Sequence, residues 1–371
     1  MRPLVPPHIA GLAPYPPGKP IQEVERELGI TGAIKLASNE NPLGPSPLAV
    51  AAIQRALADL HYYPDGGGYY LKQALSARFG VSTAEIVIGN GSNELIELLV
   101  HTFMTAGMNA ISSAGSFVVY KLVTVGAGFE FRDSPLGADR GYDLDALLAV
   151  ADEQTRIVFI ANPNNPTGSW LNGASLERFI AALDARFPAD PPLVVLDEAY
   201  FEFVEAAGAL DALELMRRRP RTMVLRTFSK AYGLAGVRCG YGFAHPEICD
   251  AIHRIKAPFN VGSLALAAAE AALGDDAFLE QTLRLNAEEM VFVTRGLTAL
   301  GVDVTPSQTN FVLADFGIDA EPIFRGAMGD GVILRPMSPY GLPTCLRISL
   351  GTRPQNERLL ETLARMVQRP R

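Results

Sequence analysis

Leu193-Val-Val-Leu-Asp197 is apolar at four successive positions and then ends on a carboxylate. Apolar residues on successive positions, rather than alternate ones, mark a strand buried on both faces. Runs of the same kind lie to either side: Glu85-Ile-Val-Ile-Gly89, Asn109-Ala-Ile-Ser112, Arg156-Ile-Val-Phe-Ile-Ala161, Thr222-Met-Val-Leu-Arg226 and Gly240-Tyr-Gly-Phe243. Helical patterns separate them from about Pro45 onward, which predicts an α/β fold built on a mostly parallel sheet.

Beyond about Pro258 the texture changes to an alanine-rich helix (Leu264 to Leu273) and a long charged helix (Asp276 to Leu300). The strand-like runs Asn310-Phe-Val-Leu-Ala314, Val332-Ile-Leu-Arg335 and Leu346-Arg-Ile-Ser-Leu350 and a final helix follow. This predicts a second, smaller α+β domain. Residues 1–45 read as a proline-rich arm, an acidic amphipathic piece (Ile21 to Leu28) and a short strand that must pack on something else. The expected division is an arm over 1–45, a large domain over 46–258 and a small domain over 259–371, with a cleft between them.

The chain has 371 residues, 48% hydrophobic and 19% charged, which is the composition of a globular protein. Its net charge of −8, with arginines dispersed, gives no footprint for nucleic acid or a membrane surface, so a small dissolved substrate is expected. Cys239, Cys249 and Cys345 form neither a disulfide framework nor a zinc pattern, and the five histidines show no metal spacing. The uncharged stretch Leu98 to Tyr120 carries polar residues and two glycines and reads as helix, turn, strand and loop rather than a span. No secretory signal pattern opens the chain, and a cytoplasmic location is expected.

The chemistry concentrates in Arg226-Thr-Phe-Ser-Lys-Ala-Tyr-Gly-Leu-Ala-Gly-Val-Arg238. Lys230 follows a strand and stands among Thr227, Ser229 and Arg238, which are phosphate-binding groups. Upstream, Asp197 ends its strand where open α/β sheets bind ligands, with Tyr200 three residues on. Asn162-Pro-Asn-Asn-Pro-Thr-Gly168 places Asn165 in a rigid turn, and Gly89-Asn-Gly-Ser-Asn-Glu94 leads from a strand into a helix whose first amides favour an anion. Each has a plainer reading: a helix cap for Asp197, an ordinary turn around Asn165, and a turn capped by Ser92 or Asn93. Together they supply what pyridoxal phosphate requires, namely a Schiff-base lysine, a carboxylate for the pyridine nitrogen, donors for the phenolate oxygen (Asn165, Tyr200) and a phosphate cradle. Arg347, a charge on an apolar strand, is either a structural ion pair or a clamp for a substrate carboxylate, and Arg335 is a second candidate anion site.

With these residues in view, the chain resembles the fold-type I pyridoxal-phosphate aminotransferases and, among them, the histidinol-phosphate aminotransferases. The resemblance is carried by Leu12-Ala-Pro-Tyr15 with Pro17-Gly-Lys19, Leu36-Ala-Ser-Asn-Glu-Asn-Pro42, Tyr63-Pro-Asp65, the turn at Gly89 to Glu94, Asn162 to Gly168 and Asp197 to Tyr200. Ser229-Lys-Ala-Tyr-Gly-Leu-Ala-Gly236, Thr309-Asn-Phe-Val312 and Arg347-Ile-Ser-Leu-Gly-Thr352 complete it. It implies a three-layer large domain whose sheet binds the cofactor, and a small domain built from the N-terminal arm and the C-terminal segment. It further implies that Gly91, Ser92 and Asn93 hold the phosphate with Thr227, Ser229 and Arg238. Phe117, reached here through Ala114-Gly-Ser, would stack on the ring. It implies a homodimer in which Tyr63 reaches the partner subunit's cofactor phosphate. Arg347 would take the α-carboxylate of glutamate, and Tyr15 and Arg335 the phosphate of histidinol phosphate or the distal carboxylate of glutamate.

The expected reaction is amino transfer between histidinol phosphate and 2-oxoglutarate in histidine biosynthesis. Rival expectations are an aminotransferase for phenylalanine or tyrosine on the same scaffold, and a threonine-phosphate decarboxylase. A non-catalytic binding protein that kept the fold is a third.

Overall fold

A computed structural model of the chain describes residues 4–14 and 18–367, so Tyr15 lies outside the described residues. In chain order the strands are Ile34–Lys35 (β1), Ile86–Gly89 (β2), Asn109–Ser113 (β3), Glu130–Ser134 (β4), Thr155–Ala161 (β5), Leu193–Asp197 (β6), Thr222–Thr227 (β7) and Gly240–Ala244 (β8). Asp303–Thr305 (β9), Phe311–Asp315 (β10), Val332–Ile333 (β11), Arg335–Pro336 (β12) and Cys345–Ser349 (β13) follow.

Strands β2 to β8 form a seven-stranded sheet in the order β2-β8-β7-β6-β5-β3-β4. Only β8 runs against its neighbours. Side chains of the central strands divide between two apolar clusters: Ile157, Phe159, Leu193 and Val195 on one face, Val158, Ile160, Val194 and Leu196 on the other. Helices cover both clusters, so the sheet is the middle of three layers, as continuous apolar runs require. Strand β4 escapes that criterion because it is an edge strand with Glu130 and Asp133 exposed.

The C-terminal edge of this sheet collects the ends of the strands. Gly89, Asp197 and Thr227 end β2, β6 and β7 there. Because β8 is reversed, its first residue, Gly240, lies opposite both Thr227 and Gly89, which brings Arg238 to the same edge.

Strands β12-β13-β10-β9 form a separate antiparallel sheet, and β1 pairs in parallel with β11. The N-terminal arm is therefore stitched to the C-terminal segment: the Leu36 amide donates to the Ile333 carbonyl at 2.8 Å and the Ser349 amide to the Leu36 carbonyl at 2.9 Å. The run Val332 to Arg335 is two strands, not one. The chain leaves β1 and joins β13 at Leu334, whose side chain stays in the small core. Helix Ser263–Leu273, assigned by composition to the second unit, packs in the core of the large sheet through Ala265, Ala268, Ala269 and Ala272. Helix Asp276–Ala299 then reaches the small core with Val293 and Leu297. No described helix is long and apolar enough to cross a membrane.

Candidate active site

At the C-terminal edge of the large sheet a cavity of about 430 Å³ opens toward the small sheet. Its floor is an anion cradle. Helix Ser92–Phe103 begins at Gly91, which has φ 77° and makes no side-chain cap. Neither Ser92 nor Asn93 caps the helix, so its first amides point outward with the positive end of the helix dipole. A Cβ on Gly91 would strike the Arg238 guanidinium, and one on Gly240 would come within 2.5 Å of the Ser92 amide. The two glycines thus allow backbone, arginine and hydroxyls to converge. Thr227 Oγ1 donates to Ser229 Oγ at 2.9 Å, and Arg238 Nη1 donates to Ser229 Oγ at 3.4 Å. Among the described residues no carboxylate forms an ion pair with Arg238.

Lys230 rises beside this cradle, its Nζ donating to the Ser38 carbonyl at 3.3 Å. Burial first, and the Arg347 guanidinium second, bring its ammonium down to about 8, with Arg238 and Lys35 acting in the same direction and Glu40 against them. Asp197 is 4% exposed and accepts from Tyr120 Oη at 2.7 Å and from the Ala199 amide at 3.2 Å. Burial pushes its carboxyl up to about 6 in spite of these donors. Tyr120 is buried and stacks on Phe159 at 4.7 Å, with Phe117 edge-on at 5.6 Å. The Phe117 loop is tied down by Asn164, whose Nδ2 donates to the Gly115 carbonyl at 2.8 Å.

The opposite wall comes from the small sheet. Arg335 and Arg347 are cross-strand partners on β12 and β13, 8% and 6% exposed, and both line the cavity. Arg347 Nη1 donates to Asn165 Oδ1 at 2.6 Å and Nη2 to the Ala37 carbonyl at 2.7 Å. Tyr200, 3% exposed, accepts from Asn39 Nδ2 at 2.8 Å, and burial raises its phenol to about 12.

Ser92, Asn93, Phe117, Asn165, Asp197, Tyr200, Thr227, Ser229, Lys230, Arg238, Arg335 and Arg347, far apart in sequence, thus share one cavity, and Gly91 stands against Arg238 at its floor. Tyr63 does not join them: it is 83% exposed and stacks on Phe259 at 4.8 Å. Tyr120 and Asn39 were not foreseen as site residues. The helical spacing of Phe117 and Tyr120 is a signal for the first, and the second lies within a quoted motif without a role.

A near-neutral lysine, a buried carboxylate with no ion-paired cation among the described residues, an anion cradle and two arginines define a class of protein. The family model described as "Aminotransferase class I and II" matches residues 31–363. The chain is 52% identical over 366 residues to the histidinol-phosphate aminotransferase of Anaeromyxobacter sp. (strain Fw109-5), covering 98% of this chain and 99% of that one. It is 46% identical over 366 residues to histidinol-phosphate aminotransferase 2 of Pseudomonas aeruginosa, covering 98% of each. The crystal structure of histidinol-phosphate aminotransferase from Sinorhizobium meliloti, a complex with pyridoxal-5'-phosphate, superposes with a TM-score of 0.89 at 33% identity, covering 98% of each chain. The chain belongs to the histidinol-phosphate aminotransferase family, within the class I and II aminotransferases.

Proposed function

We propose that this protein transfers the amino group of histidinol phosphate to 2-oxoglutarate, forming imidazole acetol phosphate and glutamate in histidine biosynthesis, with pyridoxal phosphate as cofactor. The observation that carries the reading is the cross-strand pair Arg335–Arg347, facing a cavity that already holds Lys230, Asp197 and an anion cradle. Glutamate carries two carboxylates, and histidinol phosphate carries a phosphate of about −1.5 to −2 charge. Two adjacent guanidiniums suit both, which is what an enzyme alternating between these donors needs.

The cavity fits the cofactor. The uncapped helix N-terminus, Thr227, Ser229 and Arg238 would hold its phosphate, and Phe117 would lie against its ring. Asp197, a carboxyl raised by burial, gains most from a cationic N–H, so a protonated pyridine nitrogen is its natural partner. Asn165 and Tyr200 would hold the phenolate oxygen. When bound, the cofactor supplies an electron-accepting ring for the charge that develops at the substrate α-carbon.

The chain's own groups then divide the work. Lys230, with an ammonium near 8, is poised to take the α-carbon proton and return it near neutral pH. The Ser38 carbonyl orients its Nζ. Arg347 would fix the α-carboxylate of glutamate while Arg335 would take the distal anion, and Asp197, its carboxylate held in place by Tyr120, would keep the ring nitrogen protonated.

The protein acts as a homodimer, with Tyr63 reaching the phosphate site of the other subunit. Leu60, Tyr62, Tyr63, Tyr69, Tyr70 and Phe259 are 45–83% exposed in the single chain, an apolar surface that association covers. Residues 46–258 with helix Ser263–Leu273 make the large domain, and the arm over 1–45 with the rest of the C-terminal segment the small one, in a cytoplasmic enzyme. The test is glutamate formation from 2-oxoglutarate with histidinol phosphate, phenylalanine or tyrosine as donor. A strong preference for histidinol phosphate is expected; preference for an aromatic donor, or release of carbon dioxide without glutamate, overturns the assignment.

A further inference from the structure

Asn39 is 1% exposed and lies in the left-handed region with φ 56°. Asparagine tolerates that conformation better than most residues, but a buried residue held there needs a reason. Four hydrogen bonds fix it. Its amide donates to Ser349 Oγ at 2.7 Å, its Oδ1 accepts from Ser349 Oγ at 2.9 Å, and its carbonyl accepts from Asn310 Nδ2 at 3.0 Å. With Oδ1 engaged by Ser349, the side-chain NH2 is what faces the Tyr200 hydroxyl, at 2.8 Å.

We propose that Asn39 sets the direction in which Tyr200 donates its hydroxyl proton, and so acts as a positioning residue for the cofactor's phenolate oxygen. The inference rests on the reading of this cavity as a pyridoxal-phosphate site. A phenol that accepts a hydrogen bond from Asn39 keeps its own proton for another acceptor, and the cavity is where that proton can go. The titratable and charged groups acting on Tyr200 are Arg347, Asp197 and Tyr340, and Lys230 Nζ stands 5.7 Å from its ring centre. Asn39 adds no charge, so its effect is one of direction. The same residue ties Tyr200 to Ser349, two positions from Arg347 on β13, so the substrate-facing strand and the phenol are positioned together.

Asn39→Asp nearly preserves shape and tolerates the backbone but turns a donor into an acceptor and adds a negative charge, so it is read beside the uncharged Asn39→Gly and in a Tyr200→Phe background. Tyr200 then donates to residue 39 and withdraws its proton from the cavity. Two readouts apply: the dissociation constant of pyridoxal phosphate from the cofactor-free protein, and the pH midpoint of the visible absorbance of the loaded protein. A donor at the phenolate oxygen stabilises its deprotonated form, so its loss moves the midpoint up. Asn39→Asp is expected to weaken cofactor binding about tenfold and raise the midpoint by about one pH unit, the size of one hydrogen bond to a charged oxygen. In a Tyr200→Phe background Asn39→Gly adds nothing to the midpoint, and Asn39→Asp adds only the smaller shift due to its charge. Asn39→Gly, which keeps the left-handed backbone, is expected to shift the midpoint less, and it carries the comparison if the aspartate variant does not fold. An unchanged midpoint in both variants, or a full shift that persists without the Tyr200 hydroxyl, overturns the proposal. A wild-type protein that acquires no visible absorbance when pyridoxal phosphate is added removes the cofactor reading instead.

Discussion

Arg335 and Arg347 stand directly opposite each other on adjacent antiparallel strands, each more than nine-tenths buried. Like charges in that position disfavour the sheet. The cost is tolerable where an anion enters between them, and the pair faces the cavity that contains Lys230. Arg347 also lowers the proton affinity of Lys230, second only to burial. An anion at Arg347 and the Lys230 amine are thus electrostatically linked: a carboxylate that neutralises Arg347 raises the lysine's affinity for a proton.

Replacing that lysine removes the proposed proton carrier and leaves Arg335, Arg347 and Arg238 in place. Lys230→Ala is expected to reduce glutamate formation by about 10²- to 10⁴-fold and to abolish the absorbance that depends on the lysine's covalent link to the cofactor, while the phosphate cradle still retains pyridoxal phosphate. Steady-state assays and absorbance spectra check both; unchanged turnover contradicts the role.

Asp197 is held in the cofactor-free fold at a cost. Its carboxyl is raised from 3.8 to about 6, so between those values the folded state binds more protons than the unfolded chain. Its contribution to stability is complete below about pH 4 and is lost as the pH rises through 6. Above that, ionised and buried, it disfavours the fold by up to about 3 kcal/mol. Cofactor-free Asp197→Asn should therefore melt at a higher temperature than wild type at pH 7 to 8, with the gap closing near pH 4, while transamination is lost. Thermal melts across that range decide it, and equal melting temperatures at pH 8 count against the burial argument.

Gly91→Ala tests the cradle. At φ 77° and ψ 166°, a conformation essentially confined to glycine, an alanine is strained by about 1–3 kcal/mol, and its Cβ strikes the Arg238 guanidinium. Pyridoxal-phosphate affinity is expected to fall more than tenfold in a titration of the cofactor-free protein, with the fold intact by circular dichroism. Unchanged affinity means the phosphate binds elsewhere.

The central strands were legible because burial on both faces leaves no polar alternation in β5, β6 or β7. Edge strand β4 and the short β9 were not, since half-exposed segments look like loops. The change of partner within Val332 to Arg335 was equally hidden, because it is decided by which strands are within reach. Lys230, Asp197, Asn165 and the Thr227–Arg238 segment stood out by type and by their place after strands, and the structure brings them to one cavity. Tyr120 on Asp197 and Asn39 on Tyr200 bridge 77 and 161 residues, and such contacts leave no local pattern. The plainer reading, in which Ser92 or Asn93 caps the helix, gives way to Gly91, whose missing side chain leaves the amides uncapped.

The most direct test of the account compares kcat/KM for amino transfer to 2-oxoglutarate from histidinol phosphate and from unphosphorylated histidinol, in wild type and in Arg335→Leu. Two charge-assisted contacts of about 1.5–3 kcal/mol each predict a wild-type preference for the phosphorylated donor of about 100-fold or more, much of it lost in the variant. Equal use of the two donors by the wild-type protein, or a preference that survives in Arg335→Leu, would contradict the assignment of Arg335 to the substrate's phosphate.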